Sequence, residues 1–158
     1  MEELKRHFIT SDREYREGEV FVYEQKFTVK DVKKAVFTAT ALGVYEAEIN
    51  GVKIGKQMFA PGYSYYPRRV LYQTYEVSAL LREGANTLRV YLGQGWYCGR
   101  FLCENKTQIY GEKPAVSWIL KIEDAAGVRD IVSGEQTDEL ESCLLYTSPS
   151  PRDGLLSR

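Results

Sequence analysis

Glu46 and Glu48 have the side chains and the spacing for acid/base chemistry. Two positions apart on an extended strand, their carboxyl groups would share one face at about 7 Å, a distance such work can use. The same spacing arises on any alternating strand with one wet face, and that ordinary role is the expectation here. No catalytic residue is assigned. Gly93, Gly95 and Gly99 imitate a phosphate-cradling loop, but no Gly-Lys-Ser/Thr follows and no helix is expected after them. Nucleotide binding is therefore rejected, and the glycines are read as sharp bends between strands. Cys98, Cys103 and Cys143, with the single His7, fit no zinc spacing. Free thiols in a reducing compartment are expected, with a Cys98–Cys103 disulfide as the alternative. Asp124, Glu135, Asp138, Glu139 and Glu141 lack a calcium-loop spacing and are read as solvated chain. No cofactor and no metal site is expected.

Two aromatic–arginine stretches carry more. Trp96, Tyr97 and Arg100 follow the glycines, and Tyr63, Tyr65, Tyr66, Arg68 and Arg69 form a second group. An aromatic face can stack on the apolar C–H face of a sugar ring, while arginine supplies planar donors for hydroxyls. The same residue types concentrate at protein interfaces. Both readings stand: packing in the core or between domains, and direct contact with a saccharide. Exposed, coplanar Trp96 and Tyr97 would favour the saccharide, and burial of both would favour packing.

These groups need a scaffold, and the periodicity supplies strands. Tyr45, Ala47 and Ile49 alternate with Val44, Glu46 and Glu48, then meet Asn50-Gly51, the dipeptide of a type I′ hairpin turn. Residues 20–29 read as a strand with Phe21, Tyr23, Phe27 and Val29 on one face. Residues 35–40 lead into this hairpin, residues 70–77, 87–92 and 128–132 read as further strands, and Val116, Trp118, Leu120 and Ile122 alternate through another. A short edge strand is expected over 7–10, and one helical turn over 78–82 with Ser78 as its cap. Short strands separated by turn signals, without a long helix, predict an antiparallel β-sandwich.

Composition narrows the rest. The chain of 158 residues is 44% hydrophobic and 27% charged with net charge −1, enough for one domain with a core and no pointer to nucleic acid or a membrane surface. No apolar run is long enough to span a bilayer. Residues 1–6 lack the apolar core of a secretory signal, so a cytoplasmic location is expected. The tail breaks the pattern. Over eleven residues, 143–153 resemble a translated transposase sequencing adapter, and 154–158 fit the bases that flank one. Residues 1–142 are therefore read as the domain and 143–158 as a non-native, disordered tail that packs on nothing; a genuine Pro/Ser linker is the alternative.

Ala41-Leu42-Gly43-Val44-Tyr45-Glu46, Ile49-Asn50-Gly51, Ala60-Pro61-Gly62, Arg69-Val70-Leu71-Tyr72-Gln73-Thr74-Tyr75-Glu76-Val77, Leu80-Leu81-Arg82-Glu83-Gly84-Ala85-Asn86, Gly93-Gln94-Gly95-Trp96-Tyr97 and Tyr110-Gly111-Glu112-Lys113-Pro114 occur in one order. In that order they resemble the N-terminal domain of bacterial α-L-rhamnosidases, glycoside hydrolase family 78. The resemblance covers about residues 20–135. It implies a jelly-roll, galactose-binding-like sandwich that lacks its last strands. It further implies a non-catalytic role: recognition of L-rhamnose-containing glycosides and packing against other β-domains and an (α/α)6 catalytic barrel of the same parent chain. Tyr63, Tyr65, Arg68, Arg69, Trp96, Tyr97 and Arg100 are the expected carbohydrate or interdomain contacts. An independent carbohydrate-binding module is the second reading.

Overall fold

The computed structural model describes residues 2–14, 18–100 and 106–140. Cys103, Cys143, Glu141 and the tail over 143–158 lie outside the described residues. Among the described residues, nine strands fall in chain order: β1 Phe21–Val29, β2 Lys34–Leu42, β3 Val44–Ile49, β4 Val52–Lys53, β5 Gln73–Glu76, β6 Gly84–Gly93, β7 Ala115–Asp124, β8 Gly127–Val132 and β9 Thr137–Leu140. Two one-turn helices, α1 Glu2–Lys5 and α2 Gly95–Cys98, and a 3-10 turn at Ser78–Leu80 complete the elements. All pairings are antiparallel. One sheet runs β4-β3-β6-β1-β9 and the other β5-β2-β7-β8.

The alternation read from the sequence produces the core directly. Phe21, Tyr23, Tyr45, Ala47, Ile49, Leu88, Val90 and Leu92 project inward from the five-stranded sheet. They meet Ala35, Phe37, Ala39, Ala41, Val116, Trp118, Leu120 and Ile122 of the four-stranded sheet. Small alanines along β2 face bulky residues, so the layers interdigitate. At the core lies one polar knot. Trp118 Nε1 donates to Gln25 Oε1 at 3.1 Å, and Gln25 Nε2 donates to the Val132 and Glu135 carbonyls at 3.2 and 2.6 Å. One buried amide thus ties β1 to β7 and to the crossing between β8 and β9.

At one end of the sandwich, two sequence motifs prove to be a single structure. Asn50 (φ 53°) and Gly51 (φ 78°) form the turn between β3 and β4, as Asn-Gly predicts. Asn50 Nδ2 donates to Asn86 Oδ1 at 2.8 Å and to the Leu80 carbonyl at 3.0 Å, while its Oδ1 accepts from the Thr87 amide. Asn86 in turn holds the backbone of Arg82 and Gly84.

Several elements differ from expectation. Val70–Tyr72 do not join β5, because the Leu71 amide goes to Ser64 Oγ and the Leu71 carbonyl accepts from Thr40 Oγ1. Ser78 is not a cap. Val77 occupies that position, while Ser78 Oγ accepts the Ala35 amide and donates to the Glu76 carboxylate. Over 7–10 only Ile9 pairs, with Val116. Glu135, Asp138 and Glu139 are exposed, as expected of solvated acids, but 137–140 also form β9, and Glu139 Oε1 accepts from Ser11 Oγ and Arg13 Nε at 2.8 and 2.7 Å. Asp124 is buried against Arg129 at 2.9 Å.

Replacing Gln25 by leucine leaves the Trp118 indole N–H and two carbonyls without partners. Urea unfolding is expected to show a loss of about 3 kcal/mol.

Candidate functional site

The opposite end of the sandwich gathers the β2–β3 corner, the β4–β5 loop and the β6–β7 loop. Glycines permit this convergence by having no side chain. A Cβ on Gly43 would lie 2.4 Å from the Gly93 carbonyl oxygen, and one on Gly95 would lie 2.7 Å from Val44 Cγ1. Gly93 and Gly99 have no positive φ, so the sharp-bend reading of these glycines is corrected at both: they serve close approach. The chain after Gly93 also forms the one-turn helix α2, where no helix was expected.

On this base the two loops build one aromatic cluster. Phe59 and Tyr63 present edges to Trp96 at 6.3 and 6.2 Å between ring centroids. Tyr63 and Tyr110 hydroxyls meet at 3.2 Å, and Tyr110 touches Tyr65 at 6.5 Å and Tyr66 at 5.1 Å. Tyr66 packs edge-on against Tyr97 at 5.0 Å. Gly111 leaves room for Tyr97, since a Cβ there would lie 2.4 Å from its ring. Edge-to-face contacts of this kind suit the positive rim and negative face of an aromatic ring.

The expected site residues therefore divide. Tyr63, Tyr65, Trp96 and Tyr97 come together, Tyr63 and Tyr65 exposed and the other two half-buried. Trp96 and Tyr97 engage different partners within the cluster. Arg100 is exposed and lines, with Trp96, Phe59, Val44 and residues 18–20, a pocket of about 460 Å³. Arg68 and Arg69 share the loop: both amides donate to the Tyr65 carbonyl, at 2.9 and 3.1 Å, and both side chains are exposed. The sequence reading missed Phe59 and Tyr110 as members. Tyr110 carried a signal in its neighbour Gly111. Phe59 carried none, because its left-handed backbone (φ 54°) is not written in its residue type.

Phe59 adjoins Ala60, whose carbonyl accepts the Tyr45 amide at 2.6 Å and pins the loop beside β3. Beneath it runs a second pocket of about 490 Å³ over Val44, Glu46, Glu48 and Tyr91. Here the carboxylate pair is divided among partners. Glu46 pairs with Lys53 at 2.7 Å, while Glu48 accepts from the Tyr91 hydroxyl at 3.1 Å and faces Arg89 at 3.6 Å. Arg89 also hydrogen-bonds Glu24, which holds that carboxyl below the usual range. Among the described residues, no group of three or more His, Cys, Asp or Glu side chains could hold a metal, and no helix is long and apolar enough to cross a membrane.

Below the cluster, Cys98 is a free, buried thiol. Burial pushes it up from 9.0 to about 11, and burial pushes Tyr66 up from 10.0 to about 12.

The two sheets and the loop-built aromatic end define an antiparallel β-sandwich module with one specialised end. The chain belongs to the α-L-rhamnosidase N-terminal domain family, which it matches over residues 30–148. It is 37% identical to an α-L-rhamnosidase of Streptomyces avermitilis, aligned over 80% of this chain and 14% of that protein. The crystal structure of the Aspergillus terreus α-L-rhamnosidase superposes with a TM-score of 0.78 at 33% identity, covering 84% of this chain and 16% of that one. The S. avermitilis enzyme complexed with L-rhamnose gives 0.72 at 38% identity, over 77% and 12%. The chain thus spans about one seventh of the length of that S. avermitilis relative.

Two measurements test this geometry. Phe59→Gly is expected to be more stable than Phe59→Ala by about 1 kcal/mol in urea unfolding, because both lose the ring and only alanine keeps a Cβ in the left-handed region. The raised Cys98 and Tyr66 values mean that the folded state holds these protons more tightly than the unfolded chain. Their contribution is complete below about pH 9 and is lost as pH rises through the folded values near 11 and 12. Melting temperature should fall across that window, and Cys98→Ala should flatten the fall between about pH 9 and 11.

Proposed function

We propose that this chain is the non-catalytic N-terminal module of an α-L-rhamnosidase, with residues 1–142 as its β-sandwich and 143–158 as an adapter-derived tail. Its aromatic end serves recognition of terminal α-L-rhamnosides and packs against an (α/α)6 catalytic barrel elsewhere in the parent chain. One observation carries this reading. Among the described residues, seven of nine exposed large hydrophobics lie on the two loops at this end: Met58, Phe59, Tyr63, Tyr65, Leu71, Tyr72 and Ile109. So concentrated an apolar surface is what a domain presents to a neighbour or a ligand. The small share of each relative that the chain covers provides the neighbour.

Inverting hydrolysis needs an acid and a base facing across a cleft. Glu46 and Glu48 instead sit side by side on one strand, each engaged by a cation or a phenol. This supports assigning the chemistry to another part of the parent. An independent carbohydrate-binding module is the second reading, favoured by the exposed rings of Tyr63, Tyr65 and Tyr72.

The test begins with recovery of the coding sequence beyond codon 142 and expression of both proteins. The full-length protein is expected to hydrolyse an aryl α-L-rhamnoside and the present chain to release nothing. In the full-length protein, Tyr63→Ala with Trp96→Ala should lower kcat/KM about tenfold. Titration of the present chain with methyl α-L-rhamnoside reads the recognition role separately. Hydrolysis by the present chain would overturn the assignment.

A further inference from the structure

We propose that Asn50 is a covalent modification site: it deamidates through a succinimide to aspartate or isoaspartate, and the Asn50–Asn86 amide network sets when that happens.

Sequence and turn together supply the reaction. The chain has three asparagines, Asn50, Asn86 and Asn105, and only Asn50 is followed by glycine. Imide closure needs the next backbone nitrogen to reach the side-chain carbonyl carbon, and a side chain on that next residue obstructs it. Gly51 is exposed, and beyond its two chain neighbours a Cβ built on it would meet no atom within 4 Å. The Gly51 nitrogen gives its proton to hydroxide and attacks Asn50 Cγ. The bond from Cγ to Nδ2 breaks, and Nδ2 takes a proton from water and leaves as ammonia. Water then opens the five-membered imide. Cleavage between Cγ and the Gly51 nitrogen leaves aspartate, and cleavage between that nitrogen and the main-chain carbonyl leaves isoaspartate. One water is consumed and one ammonia released, with nothing oxidised or reduced.

The fold holds this chemistry back. Asn50 Nδ2, the nitrogen that must leave, donates to the Leu80 carbonyl at 3.0 Å and to Asn86 Oδ1 at 2.8 Å, while Asn50 Oδ1 accepts the Thr87 amide at 3.1 Å. The side chain is thereby tied to residues 80–87 and kept from closing on Gly51. The reactive conformer forms when the network opens, so the rate follows local opening of this end. Asn86 is protected twice. It is buried and followed by β-branched Thr87, whose amide nitrogen already donates to Asn50 Oδ1.

The product cannot restore what is lost. A carboxylate at position 50 has no N–H to give the Leu80 carbonyl or Asn86 Oδ1. Asn86 cannot turn its amide over to help, because that amide holds the Arg82 and Gly84 backbone through three hydrogen bonds of 2.7–2.9 Å. Isoaspartate also adds a main-chain carbon to a turn whose two residues fix the pairing of Ile49 with Val52. Modification therefore unfastens the β3–β4 turn from the 3-10 turn and from the start of β6.

The test is incubation of the whole 158-residue chain in warm neutral buffer, with and without unfolding guanidinium chloride, followed by peptide mapping for aspartate and isoaspartate. In guanidinium the product is expected at Asn50, and far more slowly at Asn86 and Asn105. In buffer, formation at Asn50 should be at least about tenfold slower than in guanidinium. Asn86→Ala should remove most of that protection, and Gly51→Ala should suppress the product even in guanidinium. Asn50→Asp, which installs one product directly, should lower the melting temperature by about 4 °C. Should Asn86→Ala fail to fold, the guanidinium comparison and Asn50→Asp decide on their own. Equal rates at Asn50 with and without guanidinium, faster modification at Asn86 or Asn105, an unchanged rate in folded Asn86→Ala, or an Asn50→Asp chain as stable as the parent overturns the proposal.

Discussion

The close approach of Gly43 to Gly93 and of Gly95 to Val44 is the constraint on which the aromatic end depends. No side chain heavier than hydrogen fits at Gly43 or Gly95 without moving backbone or a β-branched neighbour. The contact lays the β6–β7 loop on the β2–β3 corner. Only then can Trp96 and Tyr97 reach rings carried by the β4–β5 loop. The two sheets would still pair without it, since their cores are set by alternation along β1, β2, β3, β6 and β7. The end would be open, and its aromatic residues would lack a common base.

The opposite end is closed by a different chemistry. There Asn50 and Asn86 satisfy the backbone of the 3-10 turn and of the start of β6 through a compact amide network. One end is thus polar and internally satisfied, the other aromatic and outward-looking. The two ends of the sandwich are thus built on different chemistry from one shared core.

What the sequence made legible was local. Asn50-Gly51 announced its turn, Val116 to Ile122 announced a buried strand face, and the ordered motifs announced the family. Tertiary hydrogen bonds defeated the rest. β5 is short because Thr40 and Ser64 capture Leu71, and the Ser78 hydroxyl is taken by Glu76 and Ala35. Neither effect leaves a periodic trace. β9 hid within a run of acids of which one, Glu139, finds Ser11 and Arg13 more than 120 residues away in the chain. At the candidate site the types of the key residues were readable, but their meeting was not. Tyr63 and Tyr110 are 47 positions apart, and nothing in either stretch specifies the other. Phe59 was invisible because its conformation, not its identity, sets it over the pocket.

The positions of the two tryptophans have a practical consequence. Trp118 is wholly enclosed between the sheets, its indole N–H held by Gln25, while Trp96 sits half-open at the loop end among Phe59 and Tyr63. With no third indole in the chain, the ultraviolet emission divides cleanly. The buried fluorophore reports whether the sandwich is assembled, and the surface one reports what touches its aromatic end. Folding and contact can thus be followed as separate optical signals in one unlabelled molecule.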